Sequence, residues 1–376
     1  MEKRKIPSLN AELSLLSFGL MRLPIIGEDH SKIDYPKAQA LVDAAIKGGV
    51  NYFDTAYVYH GGMSEVFAGD TLTKYPRDSY YLATKMPPWQ VENLDQARQI
   101  FEEQLKRCKT GYFDFYLVHS LDHTRTGALK TVVYDYLAKK KEEGLIRRLG
   151  FSFHDHPNIM KELVKDYAWD FAMIQLNYMD WEALGARILY ETLSEKNIPI
   201  VAMEPVRGGA LANLGDAATA VLKKAAPQAS AASWALRYAG SLPNIMTVLS
   251  GMSTMEQVED NLSTFESFKA INDEERKVLE EAAALYRSSG TIPCTDCQYC
   301  LPCPFGVEIP RVFAVYNHFR MVKNNYAFIN SYRTLDEKER AGSCKSCGKC
   351  LELCPQKIDI SGFCKEIDEL QKSLGV

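Results

Sequence analysis

Four polar residues in the first 120 positions have side chains that together suit the reduction of a carbonyl group. Asp54 and Tyr59 lie in the segment FDTAYVY (53–59), while Lys85 and His119 each end an apolar run. A carbonyl carbon that accepts a hydride leaves an alkoxide that needs a proton, but an unperturbed phenol, with a pKa of ~10, is a weak acid. We expect the Lys85 cation to lower the pKa of Tyr59 and Asp54 to keep that lysine charged, while His119 hydrogen-bonds the carbonyl oxygen.

Each of these residues also has a purely structural interpretation. Asp54 and Lys85 would make a buried ion pair in many folds, and a single histidine at a strand end is commonly a satisfied core residue. The residue types alone therefore leave both the catalytic and the structural interpretation open. Distinguishing them requires knowing which strands and helices position the four side chains.

Alternating apolar and amphipathic segments predict the scaffold. Eight apolar runs alternate with segments of helical period over about 250 residues, the usual span of a (β/α)8 barrel. The predicted strands are Leu15–Leu20, Asn51–Asp54, Tyr80–Lys85, Phe113–His119, Arg148–Ser152, Phe171–Asn177, Pro199–Met203 and Ile245–Ser250. The predicted helices include Tyr35–Lys47, Leu94–Lys109, Ala128–Glu143, Glu182–Lys196 and Met255–Phe265, with Asp273–Ser288 outside the barrel.

An open doubly wound sheet is the alternative to the barrel. It would need a G-x-G-x-x-G turn after its first strand to hold a dinucleotide, and the segment Gly19–Pro24 does not supply one. We therefore predict a (β/α)8 TIM barrel, in which the four candidate residues lie at or just past the carboxyl ends of the second, third and fourth strands. Barrel enzymes place their chemistry on that face.

The cysteines predict a separate metal-binding segment. Nine of the ten lie in the last 83 residues, in runs of C-x2-C-x2-C-x2-C-P (294–304) and C-x2-C-x2-C-x3-C-P (344–355). Zinc sites usually combine separate pairs of cysteines, whereas three closely spaced cysteines with a trailing Cys-Pro suit iron–sulfur cubanes. We predict a domain of residues 1–287 and an α-rich dicluster domain of residues 288–376, with one or two helices in Pro310–Arg333. Cys108 and Cys364 lie outside both runs and are interpreted as buried or incidental thiols.

The two runs resemble those of two-cluster ferredoxins, in which the fourth cysteine of each run binds the other cluster. The resemblance implies two [4Fe–4S] clusters. One would be held by Cys294, Cys297, Cys300 and Cys354, and the other by Cys344, Cys347, Cys350 and Cys303.

Composition narrows the class of protein further. The net charge is −4, which gives no indication of nucleic acid or an anionic membrane as a partner. The charged start is not followed by an apolar run of signal-peptide length, and no segment approaches the ~20 apolar residues that cross a bilayer. We expect a cytoplasmic protein.

The Asp-Thr-Ala-x-x-Tyr motif, the strand-end Lys85 and the Leu-Val-His119 strand closely resemble the aldo-keto reductase superfamily over residues 10–265. The resemblance implies that Tyr59, Lys85, Asp54 and His119 form a catalytic tetrad in a barrel that binds a nicotinamide cofactor. It also implies cofactor contacts, which fall at Gly19, Ser152, Gln175, Pro205, Arg207, Gly208, Ser253, Gln257 and Asn261.

Three positions depart from the family pattern. Phe153 replaces an asparagine that contacts the carboxamide, and Met203 replaces the tyrosine that stacks on the nicotinamide. Gln257 replaces the arginine that holds the 2′-phosphate of NADPH, and an uncharged amide is a poor partner for a dianion. We therefore predict a weakened preference for NADPH, with NADH as an alternative.

The whole chain resembles an aldo-keto reductase-type oxidoreductase with a C-terminal dicluster domain. Its partners would be a small-molecule carbonyl substrate and, through the clusters, a redox partner protein. A second hypothesis is an electron-transfer or redox-sensing protein whose barrel binds a nicotinamide or flavin without carbonyl turnover, because nicotinamides pass electron pairs and clusters pass single electrons. A third is a non-catalytic binding scaffold, although a scaffold would not need an intact tetrad.

Overall fold

The structure is a computed structural model that describes residues 1–376, except for the side chains of Thr131 and Ala183. The chain folds into two compact units. The first comprises Met1–Pro205 and Ser233–Ile271, and the second comprises Val206–Ala232 and Asn272–Val376.

The first unit is a closed barrel preceded by a β-hairpin. The strands are β1 Lys3–Ile6, β2 Ala11–Ser14, β3 Leu16–Gly19, β4 Tyr52–Asp54, β5 Tyr81–Met86, β6 Phe115–Leu121, β7 Leu149–Phe153, β8 Phe171–Gln175, β9 Ile200–Met203 and β10 Ile245–Gly251. Strands β3 to β10 pair in parallel and in sequence order, and β10 closes the ring by pairing with β3. The predicted barrel is therefore confirmed, and each predicted barrel strand overlaps one of these eight.

Apolar side chains on both faces of these strands explain why they form a buried parallel sheet. Inward residues such as Phe115, Phe171 and Val201 pack together with Leu13 of the β1–β2 hairpin, so the hairpin covers the amino end of the barrel. The hairpin does not cover the carboxyl end of the barrel. Strand β6 runs two residues beyond the predicted end at His119, with a register shift against β7 after Val118.

The helices alternate with the strands in the first unit and continue into the second. They are α1 Tyr35–Lys47, α2 Met63–Leu72, α3 Leu94–Arg107, α4 Thr126–Ala128, α5 Tyr134–Glu142, α6 Pro157–Asp166, α7 Asp180–Ala183, α8 Ala186–Glu195, α9 Asp216–Ala225, α10 Ala231–Gly240, α11 Met255–Glu266, α12 Asp273–Ser288, α13 Ile309–Val322, α14 Asn325–Arg333, α15 Lys349–Leu353 and α16 Ile360–Ser373. Within the described residues, no helix is long and apolar enough to cross a membrane.

The second unit is helical and has its own core. Helix α9 packs against α12, and α13, α14 and α16 enclose a buried cluster that includes Phe313, Tyr332 and Ile367. The predicted span Pro310–Arg333 forms two helices because Lys323 adopts a left-handed φ of 51°, which ends α13. The side chain of Asn324 then caps α14.

Candidate active site and cluster-binding segment

The four residues considered for carbonyl chemistry lie at the carboxyl ends of three adjacent barrel strands. Asp54 is the last residue of β4, Lys85 precedes the last residue of β5, and His119 lies near the end of β6. Tyr59 begins a short 3-10 turn that follows β4. Because β4, β5 and β6 are neighbours in the closed sheet, their ends bring the four side chains to one part of the rim.

Asp54 and Lys85 form a buried ion pair. Their side chains are 2% and 1% exposed, and Lys85 Nζ donates to Asp54 Oδ1 and, at 2.8 Å, to the backbone carbonyl of Thr55. Burial raises the pKa of Asp54 and lowers the pKa of Lys85, while the attraction between the two groups opposes both shifts. The lysine is therefore fixed in position by two acceptors.

Tyr59 lies between this lysine and the histidine. Lys85 Nζ is 4.7 Å from the centre of the Tyr59 ring, and the Tyr59 and His119 rings meet edge to face with their centres 5.7 Å apart. Burial, and next the positive charge of Lys85, hold the pKa of His119 well below its usual value. The imidazole is consequently neutral at neutral pH and keeps one N–H to donate.

Aromatic residues near the tetrad have different surroundings. The Trp89 and His119 ring centres are 5.2 Å apart, and Trp89 is 42% exposed, so its ring forms part of a wall open to solvent beside the histidine. Tyr57 instead donates to Glu103 at 2.7 Å, away from the tetrad.

Hydrogen bonds from two buried residues, Glu65 and Gln104, support β5, the strand that carries Lys85. No sequence pattern identifies these two residues. Gln104 Nε2 donates to Glu65 Oε1 at 2.7 Å and to the backbone carbonyl of Lys85 at 2.9 Å, and the Thr84 hydroxyl donates to Glu65 at 2.6 Å. Burial raises the pKa of Glu65, and the hydrogen bonds from Thr84 and Gln104 oppose that rise. Glu65 and Gln104 are therefore positioning residues that link helices α2 and α3 to β5.

Two of the residues considered for the nicotinamide carboxamide lie on neighbouring strands. Ser152 is on β7, and its hydroxyl oxygen accepts from the backbone N–H of Ser120 at 2.7 Å. Gln175 ends β8, and its side-chain amide donates to Asp180 Oδ2 at 2.7 Å. Both side chains are thus fixed by protein hydrogen bonds at the carboxyl end of the barrel.

Gly19 and Pro205 also lie at strand ends within the first unit. Gly19 is in register with Asp54 on one side and with Gly251 on the other, so a backbone without a side chain separates the ion pair from the β10 end. Pro205 follows β9 and is the last residue of the first unit before the chain leaves it.

The residues considered for the adenosine end of a dinucleotide lie where β10 runs into α11. The Ser253 N–H donates to Gln257 Oε1 at 2.7 Å, and Asn261 Nδ2 donates to Ser250 Oγ at 3.1 Å. Thr254 caps α11 through the Gln257 N–H. Gln257 is exposed, so the helix start presents an uncharged amide to solvent.

Arg207 and Gly208 belong to the second unit. They lie in the short turn Arg207–Ala212, in which Gly208 has a φ of 62°. A Cβ on Gly208 would overlap the backbone carbonyl of Thr295, the residue that follows the first cysteine of the first run. Only glycine fits this close approach, which packs the turn directly against the cysteine segment.

The cysteines of the two runs surround two cavities in the second unit. The narrower one, about 20 Å³, is lined by Cys294, Cys297, Cys300 and Cys354. The wider one, about 200 Å³, is lined by Cys300, Cys303, Cys344, Cys347, Cys350 and Cys364. The fourth cysteine of the second run, Cys354, lines the narrower cavity with the first run, and the fourth cysteine of the first run, Cys303, lines the wider cavity with the second run. Cys300 lines both cavities.

The donors around these cavities fit an iron–sulfur cluster. The Asp296 N–H donates to Cys294 Sγ at 3.4 Å, and the Ser346 N–H donates to Cys344 Sγ at 3.4 Å. Such N–H···S bonds stabilise thiolate ligands. Among the described residues, no group of three or more histidine, cysteine, aspartate or glutamate side chains could hold a metal ion as the side chains stand. Cys108 is buried in the first unit, whereas all of these sulfurs belong to the second.

The barrel and the residues gathered at its rim place the chain among the barrel oxidoreductases. A model of the aldo/keto reductase family matches residues 15–284, and a model of a 4Fe-4S dicluster domain matches residues 293–358. The first match covers well over half of the chain, which therefore belongs to the aldo/keto reductase family and is an oxidoreductase with an iron–sulfur segment.

Individual relatives agree with this membership. The chain is 27% identical over 318 residues to the uncharacterized oxidoreductase YqkF of Bacillus subtilis, covering 74% of this chain and 96% of the relative. It is 25% identical over 305 residues to L-galactose dehydrogenase of Arabidopsis thaliana, covering 76% and 94%. Among solved structures, aldo-keto reductase AKR11C1 from Bacillus halodurans in its holo form superposes with a TM-score of 0.62 at 25% identity, covering 75% and 96%.

Proposed function

We propose that the barrel reduces an aldehyde or ketone with NAD(P)H, or oxidises the corresponding alcohol, and that Tyr59 is the proton donor. The observation that carries the proposal is the position of the Lys85 ammonium 4.7 Å from the centre of the Tyr59 ring, with the His119 ring in edge-to-face contact with the same tyrosine. A buried ion pair with only a structural role would not need a tyrosine and a neutral histidine beside it.

Each residue of the tetrad has a distinct task in this reaction. Bound NAD(P)H would supply the hydride that reduces the carbonyl carbon. The Tyr59 hydroxyl gives its proton to the carbonyl oxygen, and Lys85 stabilises the negative charge that develops on the phenol oxygen. Asp54 holds the lysine, and His119 donates a hydrogen bond to the carbonyl oxygen, because a neutral imidazole carries one N–H.

The proposed cofactor contacts are those implied by family membership. Ser152 and Gln175 would hold the carboxamide, with Gly19 nearby, while Pro205, Arg207 and Gly208 would contact the pyrophosphate. Ser253, Gln257 and Asn261 would contact the adenosine end. Because Gln257 is exposed and uncharged, we propose that the preference for NADPH over NADH is weak.

We propose that the C-terminal segment holds two [4Fe–4S] clusters, the first on Cys294, Cys297, Cys300 and Cys354 and the second on Cys344, Cys347, Cys350 and Cys303. Carbonyl reduction by hydride does not require them, so their role is electron exchange with a partner protein or stabilisation of the segment. We assign residues 1–287 to the reductase domain and 288–376 to the cluster domain. We also propose that the protein is cytoplasmic, because that compartment keeps cysteines reduced.

Anaerobically purified protein tests the proposal. NAD(P)H oxidation is followed with a panel of small aldehydes and ketones, and Tyr59→Phe should reduce kcat by about 10²- to 10⁴-fold, the usual contribution of a positioned general acid. Tyr57→Phe is the matched control, because it removes a hydroxyl from the same segment that donates to Glu103 instead. No turnover across the panel, or full activity in Tyr59→Phe, would contradict the proposal, and cluster reduction by NADH without carbonyl turnover would favour a redox-sensing role.

A further inference from the structure

The loop that follows β6 places an arginine beside the tetrad. Arg125 lies just beyond the end of β6, and its guanidinium carbon is 4.7 Å from the centre of the Trp89 ring. The centre of the same indole lies 5.2 Å from the centre of the His119 ring. A single aromatic side chain therefore contacts both the guanidinium and the histidine at the carboxyl end of the barrel.

Hydrogen bonds hold one end of this guanidinium and leave the other end available. Arg125 Nη1 donates to the Ser120 carbonyl at 2.8 Å and to the Ser120 hydroxyl at 2.6 Å. Nε and Nη2 have no hydrogen-bond acceptor among the residues that the structure describes, and both are open to solvent. These two nitrogens form the planar edge through which an arginine binds a carboxylate with two parallel hydrogen bonds. Because the side chain is only 13% exposed and is fixed by Ser120 and Trp89, a ligand would meet an edge that is already oriented.

The acidic residues near this loop do not occupy that edge. Asp122 Oδ1 accepts from the backbone N–H of Arg125 at 3.1 Å, and Asp122 Oδ2 lies 3.8 Å from Nη1, the nitrogen that already bonds Ser120. Asp155 Oδ2 accepts from the backbone N–H of His123 at 2.7 Å. These carboxylates weaken the positive potential of the single guanidinium. The edge therefore suits a singly charged carboxylate better than a dianionic phosphate.

We propose that Arg125 determines substrate specificity by binding a carboxylate of the substrate, while Tyr59 and His119 contact its carbonyl oxygen. The inference rests on the proposed carbonyl reduction and narrows its substrates to aldehydes or ketones that carry a carboxylate. The guanidinium carbon is no farther from the centre of the His119 ring than the sum of the separations of 4.7 Å and 5.2 Å through Trp89. A substrate with one aromatic ring between its carbonyl and its carboxylate can bridge such a span. The carboxylate takes no part in hydride or proton transfer and contributes only affinity and orientation.

A purely structural role for Arg125 makes a different prediction. Ser120 has a left-handed φ of 52°, and the two hydrogen bonds from Nη1 stabilise that conformation next to His119. Loss of these bonds would slow the turnover of charged and neutral substrates alike, because it would disturb the histidine. Only a binding role makes the effect depend on the charge of the substrate. The ratio of kcat/KM between a charged substrate and its neutral analogue therefore separates the two roles.

The experiment compares the meta and para isomers of carboxybenzaldehyde with their neutral methyl esters, using the anaerobic full-length protein. The wild type should prefer at least one acid to its ester. Arg125→Gln should reduce that preference in kcat/KM by about tenfold or more, as expected for loss of a hydrogen-bonded charge pair. Arg125→Lys, which keeps the charge but not the planar edge, should retain part of the preference. Arg98→Gln is the control, because it removes the same charge from the exposed side of α3, and it should leave the preference unchanged.

Calorimetric titration with the hydroxymethylbenzoates, the alcohol products of these acids, separates this inference from the proposed function. At least one isomer should bind the wild type about tenfold or more tightly than it binds Arg125→Gln. The same acid-to-ester ratio in the wild type and Arg125→Gln, or equal product binding by the two proteins, would overturn the inference. A wild type that turns over no aldehyde would refute the proposed reduction, whereas product binding that still weakens in Arg125→Gln would support the carboxylate site.

Discussion

Replacing Lys85 with methionine removes the cation beside Tyr59 while keeping an unbranched side chain of similar length. The lysine ammonium lies 4.7 Å from the centre of the tyrosine ring. With that distance taken as the separation of the two charges, and at an effective dielectric constant of about 20, two unit charges interact by about 3.5 kcal/mol. If between half and all of the phenolate charge has developed in the transition state, kcat should fall by about 20- to 400-fold.

The same change also affects stability, and the two effects need to be separated. Lys85→Met leaves the buried Asp54 carboxylate without its partner, a loss that typically costs about 3–5 kcal/mol of unfolding free energy. The double variant Asp54→Asn/Lys85→Met removes both charges and should recover much of that stability. It should remain as slow as Lys85→Met, because the cation is still missing.

The assay is anaerobic steady-state oxidation of NAD(P)H with a carbonyl substrate, alongside unfolding followed by intrinsic fluorescence. We expect the loss in kcat, with KM nearly unchanged, since the lysine acts on charge that appears during the reaction. Turnover of Lys85→Met within fivefold of the wild type would refute the electrostatic reasoning. Recovery of turnover in the double variant would assign the lysine a structural role.

Three further predictions concern the pH dependence of turnover, the packing of Gly208 and the choice of cofactor. The kcat/KM profile should stay level as the pH falls through ~6.5, because burial keeps His119 neutral there; a limb near that pH that disappears in His119→Asn would contradict this. Gly208→Ala should lower the thermal midpoint more than Gly209→Ala, since both have a positive φ but only Gly208 abuts the Thr295 backbone, and equal effects would refute the contact. Gln257→Arg should tighten NADPH binding by about tenfold or more in fluorescence titrations and leave NADH unchanged; an unaltered ratio of dissociation constants would argue against this helix start as the phosphate contact.

The barrel could be predicted from the sequence because its strands are buried on both faces and appear as continuous apolar runs. Helix α2 was not predicted from the sequence. Glu65, Phe67 and Thr71 are all buried, so the helix lacks the exposed polar face that produces a helical period in the sequence. The division into two packing units could not be predicted from amino-acid composition. The connection Val206–Ala232 has an ordinary composition, and only its packing assigns it to the second unit.

The candidate site was predictable to a similar extent. Strand ends in a parallel barrel share one rim, so the convergence of Asp54, Lys85 and His119 follows from the strand assignments. The support from Glu65 and Gln104 depends on helices meeting a strand, which no local pattern encodes. Cys364 looks incidental in the sequence because it lies outside both runs, and only the fold of α16 brings it to the wider cavity.

The close approach of Gly208 to Thr295 means that the C-terminal segment cannot be removed or transplanted on its own. The peptide after β9 leaves the barrel unit, packs with the cysteine segment, and returns at α10. The C-terminal segment is therefore not a detachable appendage, and a fragment trimmed at residue 287 would lose the neighbour against which that excursion rests. Transplanting the segment onto another barrel would require grafting the β9–α10 excursion as well.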